Sequence, residues 1–138
     1  MGSRRQSREM ALQALYLRDT CGFPLDSAIK VVLENSYSEP VNAFCRHLTE
    51  GVSDRQEEID SILSRYAENW DIKRMAIVDR NILRLSAFEI LSDLDTPVSV
   101  IIDEAIEIAK IFSTEDSGKF VNGILDKVKQ ERKSPPTA

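Results

Sequence analysis

The sequence predicts an all-α fold, and three observations support this. The chain has 138 residues, of which 42% are hydrophobic and 30% are charged, the balance of a globular domain rather than a disordered chain or a membrane span. Only 5 Gly and 5 Pro occur, which is few for the many turns of an all-β protein. Apolar residues recur at intervals of three and four, the period of a helix. A chain of this length forms one domain without a metal or a disulfide.

Seven segments show the helical period, with turn residues between them. The first three are predicted at about 4–19, 24–35 and 41–53, and the fourth follows the third and extends to about 67. The fifth and sixth are predicted at about 76–93 and 97–112, and the seventh around the apolar residues of 120–128. Ser3 is predicted to cap the first helix, and Asp116 or Ser117 the last. Trp70 and Ile72 indicate a short helical turn before the fifth helix. That helix is apolar around most of its circumference, so we expect it at the centre of the fold.

The domain is predicted to span residues 1–133 and to be followed by a disordered tail at 134–138. Gly51 lies near the junction of the third and fourth helices, which are either continuous or separate. Gly123 lies inside the last helix, where glycine costs about 1 kcal/mol relative to alanine. Close packing of another helix is the expected reason for this glycine.

Charge is spread unevenly along the chain. The net charge is −5, but residues 1–18 and residues 127–133 each carry +3, which leaves −11 for the middle. An acidic body with basic ends is not typical of a general nucleic-acid binder, although it can accept phosphate at one patch. Basic ends that are simply solvated are the alternative.

Two cysteines and the N-terminus bear on localisation. Cys21 and Cys45 have no metal-binding spacing, and no signal-peptide pattern precedes them. Both are therefore predicted to be reduced thiols in a cytoplasmic protein.

Catalytic motifs are not found in the sequence. There is no glycine-rich phosphate loop, and His47 is the single histidine. Asp103, Glu104 and Glu107 cluster on the sixth helix, but Lys110 follows Glu107 by three residues, which favours a solvated, salt-bridged face. We therefore predict neither an enzyme nor a cofactor or metal site.

An arginine cluster opens the first helix. Arg4, Arg5 and Arg8 occupy its first turns, where positive charge opposes the helix dipole. Guanidinium groups pair with phosphate and stack on unpaired bases, so the cluster is a candidate RNA site. An ion pair between Arg5 and Glu9 is the simpler alternative.

A second unusual segment covers residues 115–123. Lys119 and Asn122 are three residues apart, opposite much of the apolar stripe of the last helix. Their spacing alone does not decide between a ligand site and an ordinary solvated face.

Three ordered stretches carry a resemblance to a known family. The first contains Arg4-Arg5, Arg8-Glu9 and Gln13-Ala14-Leu15-Tyr16. The second covers residues 79–91. The third covers residues 104–110 and leads to Lys119-Phe120-Val121-Asn122-Gly123-Ile124-Leu125-Asp126. Trp70 and the break at 96–98 fit between them. On these stretches the chain resembles the NusB family of bacterial transcription antitermination factors, over roughly residues 4–129.

The resemblance implies a fold, a function and partners. It implies about seven helices in two small bundles packed across each other, and RNA binding rather than catalysis. Family members pair with NusE, a small-subunit ribosomal protein, and the pair binds single-stranded boxA RNA. The complex includes NusA, NusG and RNA polymerase and supports ribosomal RNA transcription. Family members occur as monomers or homodimers.

The resemblance also implies site residues. For RNA they are Arg4, Arg5, Arg8, Tyr16, Lys119, Phe120 and Asn122. For the protein partner they are Tyr16, Asp79, Arg84, Phe112, Asp116 and Phe120. Gln6 and Asp103 depart from the family pattern and reduce positive charge, so we expect weak RNA binding without the partner.

Two other interpretations of the sequence are weighed against this one. A helical protein–protein scaffold module without direct RNA contact is the main alternative. Some ribosomal RNA methyltransferases carry a similar helical accessory domain, but no methyl-donor loop or downstream catalytic domain is present in this sequence.

Overall fold

The computed structural model describes residues 2–68 and 70–132 and shows seven α-helices within these ranges. They are α1 (Gly2–Cys21), α2 (Leu25–Leu33), α3 (Glu39–Asp54), α4 (Gln56–Tyr66), α5 (Ile77–Ser92), α6 (Val98–Phe112) and α7 (Glu115–Val128). Short 3₁₀ turns occupy Ile72–Arg74 and Lys129–Glu131. The predicted all-α fold is confirmed, and the helical turn predicted near Trp70 begins at Ile72.

Two groups of helices meet around α5. Helices α1, α2 and α3 pack on one another, whereas α4, α6 and α7 form the second group. Helix α5 contacts α1 and α3 on one side and α4, α6 and α7 on the other. The expected arrangement of two bundles packed across each other is confirmed, and α5 is the element that joins them.

The central position of α5 follows from its sequence. Every residue from Asn81 to Ile90 is buried, including the polar Asn81, Arg84, Ser86 and Glu89. A helix buried on all sides must satisfy such groups internally, because water cannot reach them. Their partners on α1 and α4 therefore help to determine how the two bundles are aligned.

Two of the predicted N-terminal caps are wrong. Helix α1 already includes Gly2, so Ser3 lies inside the helix and its carbonyl accepts a hydrogen bond from Ser7 Oγ at 3.0 Å. Helix α7 is capped by Thr114, whose Oγ1 accepts from the Ser117 N–H at 3.0 Å. Cap position depends on the local backbone conformation, and Thr114 is the residue with extended backbone there.

Two glycines have opposite surroundings. Helix α3 runs through Gly51 to Asp54, and Arg55 alone separates it from α4. A Cβ atom at Gly51 would lie 2.0 Å from Phe88 Cζ, so glycine lets the ring of α5 reach the α3 backbone. A Cβ atom at Gly123 would meet nothing within 4 Å. The predicted close packing at Gly123 is therefore wrong.

The C-terminal end of α5 is closed by Arg132. Its guanidinium donates to the carbonyl oxygens of Ile90 at 2.7 Å, Asp93 at 2.6 Å, Thr96 at 2.8 Å and Glu89 at 3.4 Å. The last carbonyls of a helix have no partner within the helix. Arg132 supplies one, so this part of the basic C-terminal patch is not simply solvated.

Two further observations concern the extent of the chain. The predicted tail at 134–138 lies outside the described residues, together with Met1, Asn69 and Lys133. Across residues 2–68 and 70–132, no helix combines the length and the apolar character that crossing a bilayer would require.

Candidate nucleic-acid and partner interface

Arg8 points into the domain. Its side chain is 8% exposed, and its Nε and Nη2 atoms donate to the two carboxylate oxygens of Glu89 at 2.8 and 2.7 Å. Burial lowers the pKa of the guanidinium, but the hydrogen bonds and charge of Glu89 outweigh burial and raise this pKa overall. This geometry makes Arg8 a residue that joins α1 to α5, and its exposure does not favour direct contact with RNA.

Arg5 forms a half-exposed ion pair. Its Nε and Nη2 atoms donate to the carboxylate of Glu104 on α6 at 2.9 and 2.6 Å, rather than to the Glu9 carboxylate. The hydrogen bond from Arg5 is the main cause that lowers the pKa of Glu104. The Arg5 side chain is 39% exposed, so an incoming phosphate can reach it in competition with Glu104.

Arg4 differs from both. It is exposed, and within the described ranges no carboxylate lies within 4.0 Å of it. Its guanidinium carbon lies 3.9 Å from the centroid of the Phe44 ring on α3. Of the three predicted arginines, Arg4 is the one whose charge is not compensated by a neighbouring carboxylate.

A second group of predicted residues meets where α5 and α7 begin. Asp79, Asp116 and Phe120 line a pocket of about 230 Å³ together with Trp70 and Ser117. The Trp70 and Phe120 rings meet edge to face with centroids 5.5 Å apart. Asp79 Oδ2 accepts from Ser117 Oγ at 3.2 Å, whereas its buried Oδ1 has no partner. The Asp79 and Asp116 carboxylates beside two aromatic rings suit a cationic side chain of a partner.

Lys119 and Asn122 lie on exposed positions of α7, the helix that also carries Asp116 and Phe120 of this pocket. Lys119 and Phe120 line a shallow hollow of about 360 Å³ that also includes Trp70 and Gly123. Asn122 is exposed. In the described part of the chain, no hydrogen bond, ion pair or ring contact joins this group directly to the N-terminal arginines.

Tyr16 and Phe112 line a separate apolar groove. It has a volume of about 530 Å³, and its walls include Leu12, Val31 and Val78. Tyr16 is 40% exposed and Phe112 is 37% exposed. The groove lies where α1, α2 and α5 meet the end of α6, so it offers apolar surface to a protein partner.

Arg84 lies in the interior rather than on this surface. Its guanidinium donates to Asp60 at 2.8 and 2.9 Å and to Asp19 at 2.9 Å, and its side chain is 7% exposed. The Asp19 pKa is lowered, because hydrogen bonds and the nearby arginines outweigh the opposing effect of burial. The burial of Arg84 does not favour its predicted contact with a partner.

Sequence reasoning missed two residues of these surfaces and one buried partner of Arg8. No role at a site was predicted for Phe44, and Trp70 was predicted only to mark a short helical turn and to fit the family resemblance. Glu89 is 81 positions away from Arg8, so no local spacing could reveal their pairing. The signal available for Phe44 was its position three residues before His47, the single histidine. The rings of Phe44 and His47 stack with their centroids 6.1 Å apart.

The acidic face of α6 is as expected in one respect. Lys110 Nζ lies 3.5 Å from Glu107 Oε2, the predicted pairing. Among the described residues, no group of three or more histidine, cysteine, aspartate or glutamate side chains is arranged to hold a metal ion.

Taken together, an all-helical fold, an uncompensated arginine, an acidic aromatic pocket and an apolar groove define a helical binding protein. The model of the NusB family matches residues 5–130 of the sequence. The chain therefore belongs to the NusB family.

Individual relatives agree with this assignment. The chain is 48% identical to the transcription antitermination protein NusB of Elusimicrobium minutum, over 97% of this chain and 98% of that protein. The fold matches NusB from T. maritima with a TM-score of 0.87 at 40% identity, covering 94% of this chain and 92% of that one. It also matches a chain in a crystal structure of antitermination factors NusB and NusE in complex with dsRNA, with a TM-score of 0.85 at 28% identity over 94% and 98% of the two chains.

Proposed function

We propose that this chain is a transcription antitermination factor that binds RNA as a heterodimer with the ribosomal protein NusE. The observation that carries the proposal is its similarity, over 94% of its length, to a chain in the complex of NusB, NusE and dsRNA. The relative from Elusimicrobium minutum, named as an antitermination protein, matches over 97% of this chain. Single-stranded boxA RNA is the proposed target, in a cytoplasmic complex with NusA, NusG and RNA polymerase.

The partner surface is proposed to centre on the pocket of Asp79, Asp116 and Phe120. The Asp79 and Asp116 carboxylates that line it fit a lysine or arginine of a basic ribosomal protein. The net charge of −11 over the middle of the chain would attract such a partner before contact. Tyr16 and Phe112 in the apolar groove extend the proposed surface. A homodimer is an alternative use of the same apolar residues.

The RNA surface is proposed to include Arg4 and Arg5, with Lys119, Asn122 and Tyr16 beside the partner. Each phosphate contact with single-stranded RNA contributes a slope of about −0.7 in the dependence of log affinity on log salt. A surface with few free cations therefore binds RNA weakly at physiological salt. NusE is proposed to supply the remaining charge and base contacts. Arg8 contributes indirectly, since its pair with Glu89 holds α1 on α5.

The test is a titration of labelled boxA RNA with this chain, alone and with NusE, at several salt concentrations. A scrambled RNA is the control for sequence selectivity. Selective binding that strengthens with NusE supports the proposal. If neither NusE nor RNA binds, the proposal is wrong.

Variants separate the two surfaces. Asp79→Asn should weaken binding to NusE, because it removes a negative charge that lines the pocket. Asp126→Asn is the matched control, since Asp126 is an exposed carboxylate paired with Lys129 on the surface of α7. Arg4→Gln should weaken RNA binding while NusE binding persists. Equal effects of Asp79→Asn and Asp126→Asn on NusE binding would contradict the proposed partner site.

A scaffold without direct RNA contact is the second candidate. The observation that favours it is that carboxylates already neutralise Arg5 and Arg8. It predicts that NusE binds while RNA crosslinks only to NusE. A crosslink from boxA RNA to the first turns of α1 would exclude it.

A further inference from the structure

Phe44 lies close to two arginines of α1. The guanidinium carbon of Arg4 is 3.9 Å from its ring centroid, and that of Arg8 is 5.6 Å away. Arg8 is held in place by two hydrogen bonds to Glu89. One cation near the ring is therefore part of the interior, whereas the other is exposed to solvent.

The ring of Phe44 is also supported from its own helix and from α5. His47 stacks on Phe44 with centroids 6.1 Å apart and planes inclined by 21°. His47 in turn meets Phe88 at 5.4 Å with an angle of 56°. Phe88 is buried and packs on the backbone of Gly51. This chain of ring contacts links Phe44 to the core, against which Phe44 also packs.

Arg4 therefore has its guanidinium over a supported ring, and the residue is exposed. A guanidinium is planar, with two faces that stack on aromatic rings and five donors in the plane. Nothing in the described part of the chain pairs its charge with a carboxylate. Unpaired RNA bases stack on arginine planes as well as on aromatic side chains.

Building on the proposed RNA binding, we infer that Phe44 positions the Arg4 guanidinium as a platform on which one unpaired RNA base stacks. The order of the stack is Phe44, Arg4 and then the base. Phe44 is a positioning residue, because it acts through Arg4 and does not itself touch the base. A site that only attracted phosphate would need the charge of Arg4 but not its planar orientation.

A double-mutant cycle tests the platform. Arg4→Lys keeps the charge and removes the planar group, and Phe44→Leu keeps apolar volume and removes the ring. Each should weaken boxA binding by the complex with NusE by about two- to fivefold, the size of an exposed cation–π contact. The double variant should lose no more than the larger single loss, since both changes remove the same stack. The salt slope should not change with Arg4→Lys, because the charge is retained.

Two controls accompany the cycle. Arg46→Lys is the matched control, since Arg46 is exposed on α3, the helix that carries Phe44. Arg46 has no ring or carboxylate partner among the described residues. It should leave affinity unchanged. Thermal unfolding of each variant shows whether the fold is retained, and NusE binding should persist in all of them.

RNA lacking single bases identifies the target of the stack. A set of boxA RNAs is prepared, and each RNA carries an abasic site at a different position. Each keeps every phosphate but lacks one base. At one position the abasic RNA should bind wild-type protein more weakly, and there Arg4→Lys and Phe44→Leu should cause no further loss. Additive losses in the double variant, or losses that are equal on every abasic RNA, would overturn the inference while leaving RNA binding intact. Failure of the wild-type complex to bind RNA would overturn the proposed function and this inference with it.

Discussion

Replacing Glu89 with glutamine should destabilise the domain strongly. Glu89 is 3% exposed and holds the 8% exposed Arg8 through two hydrogen bonds. Removing one partner of a buried ion pair costs about 3–5 kcal/mol, because the other charge stays buried without compensation. Glu104 Oε1 lies 3.7 Å from Arg8 Nη1 and offsets part of this cost. We therefore expect the lower end, about 3 kcal/mol, which corresponds to a fall in Tm of about 10 °C for a domain of this size.

Urea denaturation and thermal unfolding measure this effect. Asp126→Asn is the control, because it makes the same chemical change in a pair whose side chains are 51% and 62% exposed. It should shift Tm by less than about 2 °C. The double variant Arg8→Met, Glu89→Leu should recover most of the lost stability, since no charge remains buried. The reasoning is refuted if Glu89→Gln is no more harmful than Asp126→Asn, or if the double variant is as unstable as Glu89→Gln.

Three other predictions follow from the same structure. Gly51→Ala should lower the free energy of unfolding by about 1–3 kcal/mol, because the added methyl group overpacks against Phe88. Gly123→Ala should raise the free energy of unfolding by about 0.5–1 kcal/mol, because alanine favours the helix. Urea denaturation measures both, and equal effects of the two changes would contradict the packing described. Burial raises the pKa of Cys45 to about 11, whereas Cys21 is exposed. A thiol reagent at about pH 8 should therefore modify one cysteine in the native protein and two in urea. Rapid modification of both cysteines in the native protein would be inconsistent with this burial. The hydrogen bond from Arg5 lowers the pKa of Glu104 below its ordinary value of 4.5, so the ion pair stabilises the folded state above pH 4.5 and this stability is lost as pH falls through the lowered pKa. Glu104→Gln should therefore flatten the decline of Tm as pH falls below 4.5, and an unchanged decline would argue against the ion pair.

The helices could be predicted because their signals are local. Apolar spacing located all seven, and the all-round apolar pattern placed α5 at the centre, where residues 81–90 are buried. The caps of α1 and α7 were predicted wrongly, because several residues near each helix start can accept the same hydrogen bond. Gly123 was predicted wrongly because its cost in a helix is visible in the sequence, whereas the space around it is not.

The candidate surfaces were predictable as sets of residues but not as an arrangement. Their position in the first turns of the first helix and the family resemblance both selected Arg4, Arg5 and Arg8. The structure gives these residues an exposed, a half-exposed and a buried environment. Their environments depend on Glu89 and Glu104, which lie on helices far along the chain. Long-range pairing of charges has no periodicity, so it cannot be inferred from spacing alone.

The closure of α5 by Arg132 has a consequence for biosynthesis. The four carbonyls that it binds precede it by 36 to 43 residues, so they leave the ribosome well before their donor does. A nascent chain that stops short of residue 132 leaves the end of its most buried helix without that donor. Closure of α5 therefore waits until residue 132 has been synthesised, and chains that stop before this residue should be the ones that cellular proteases remove first.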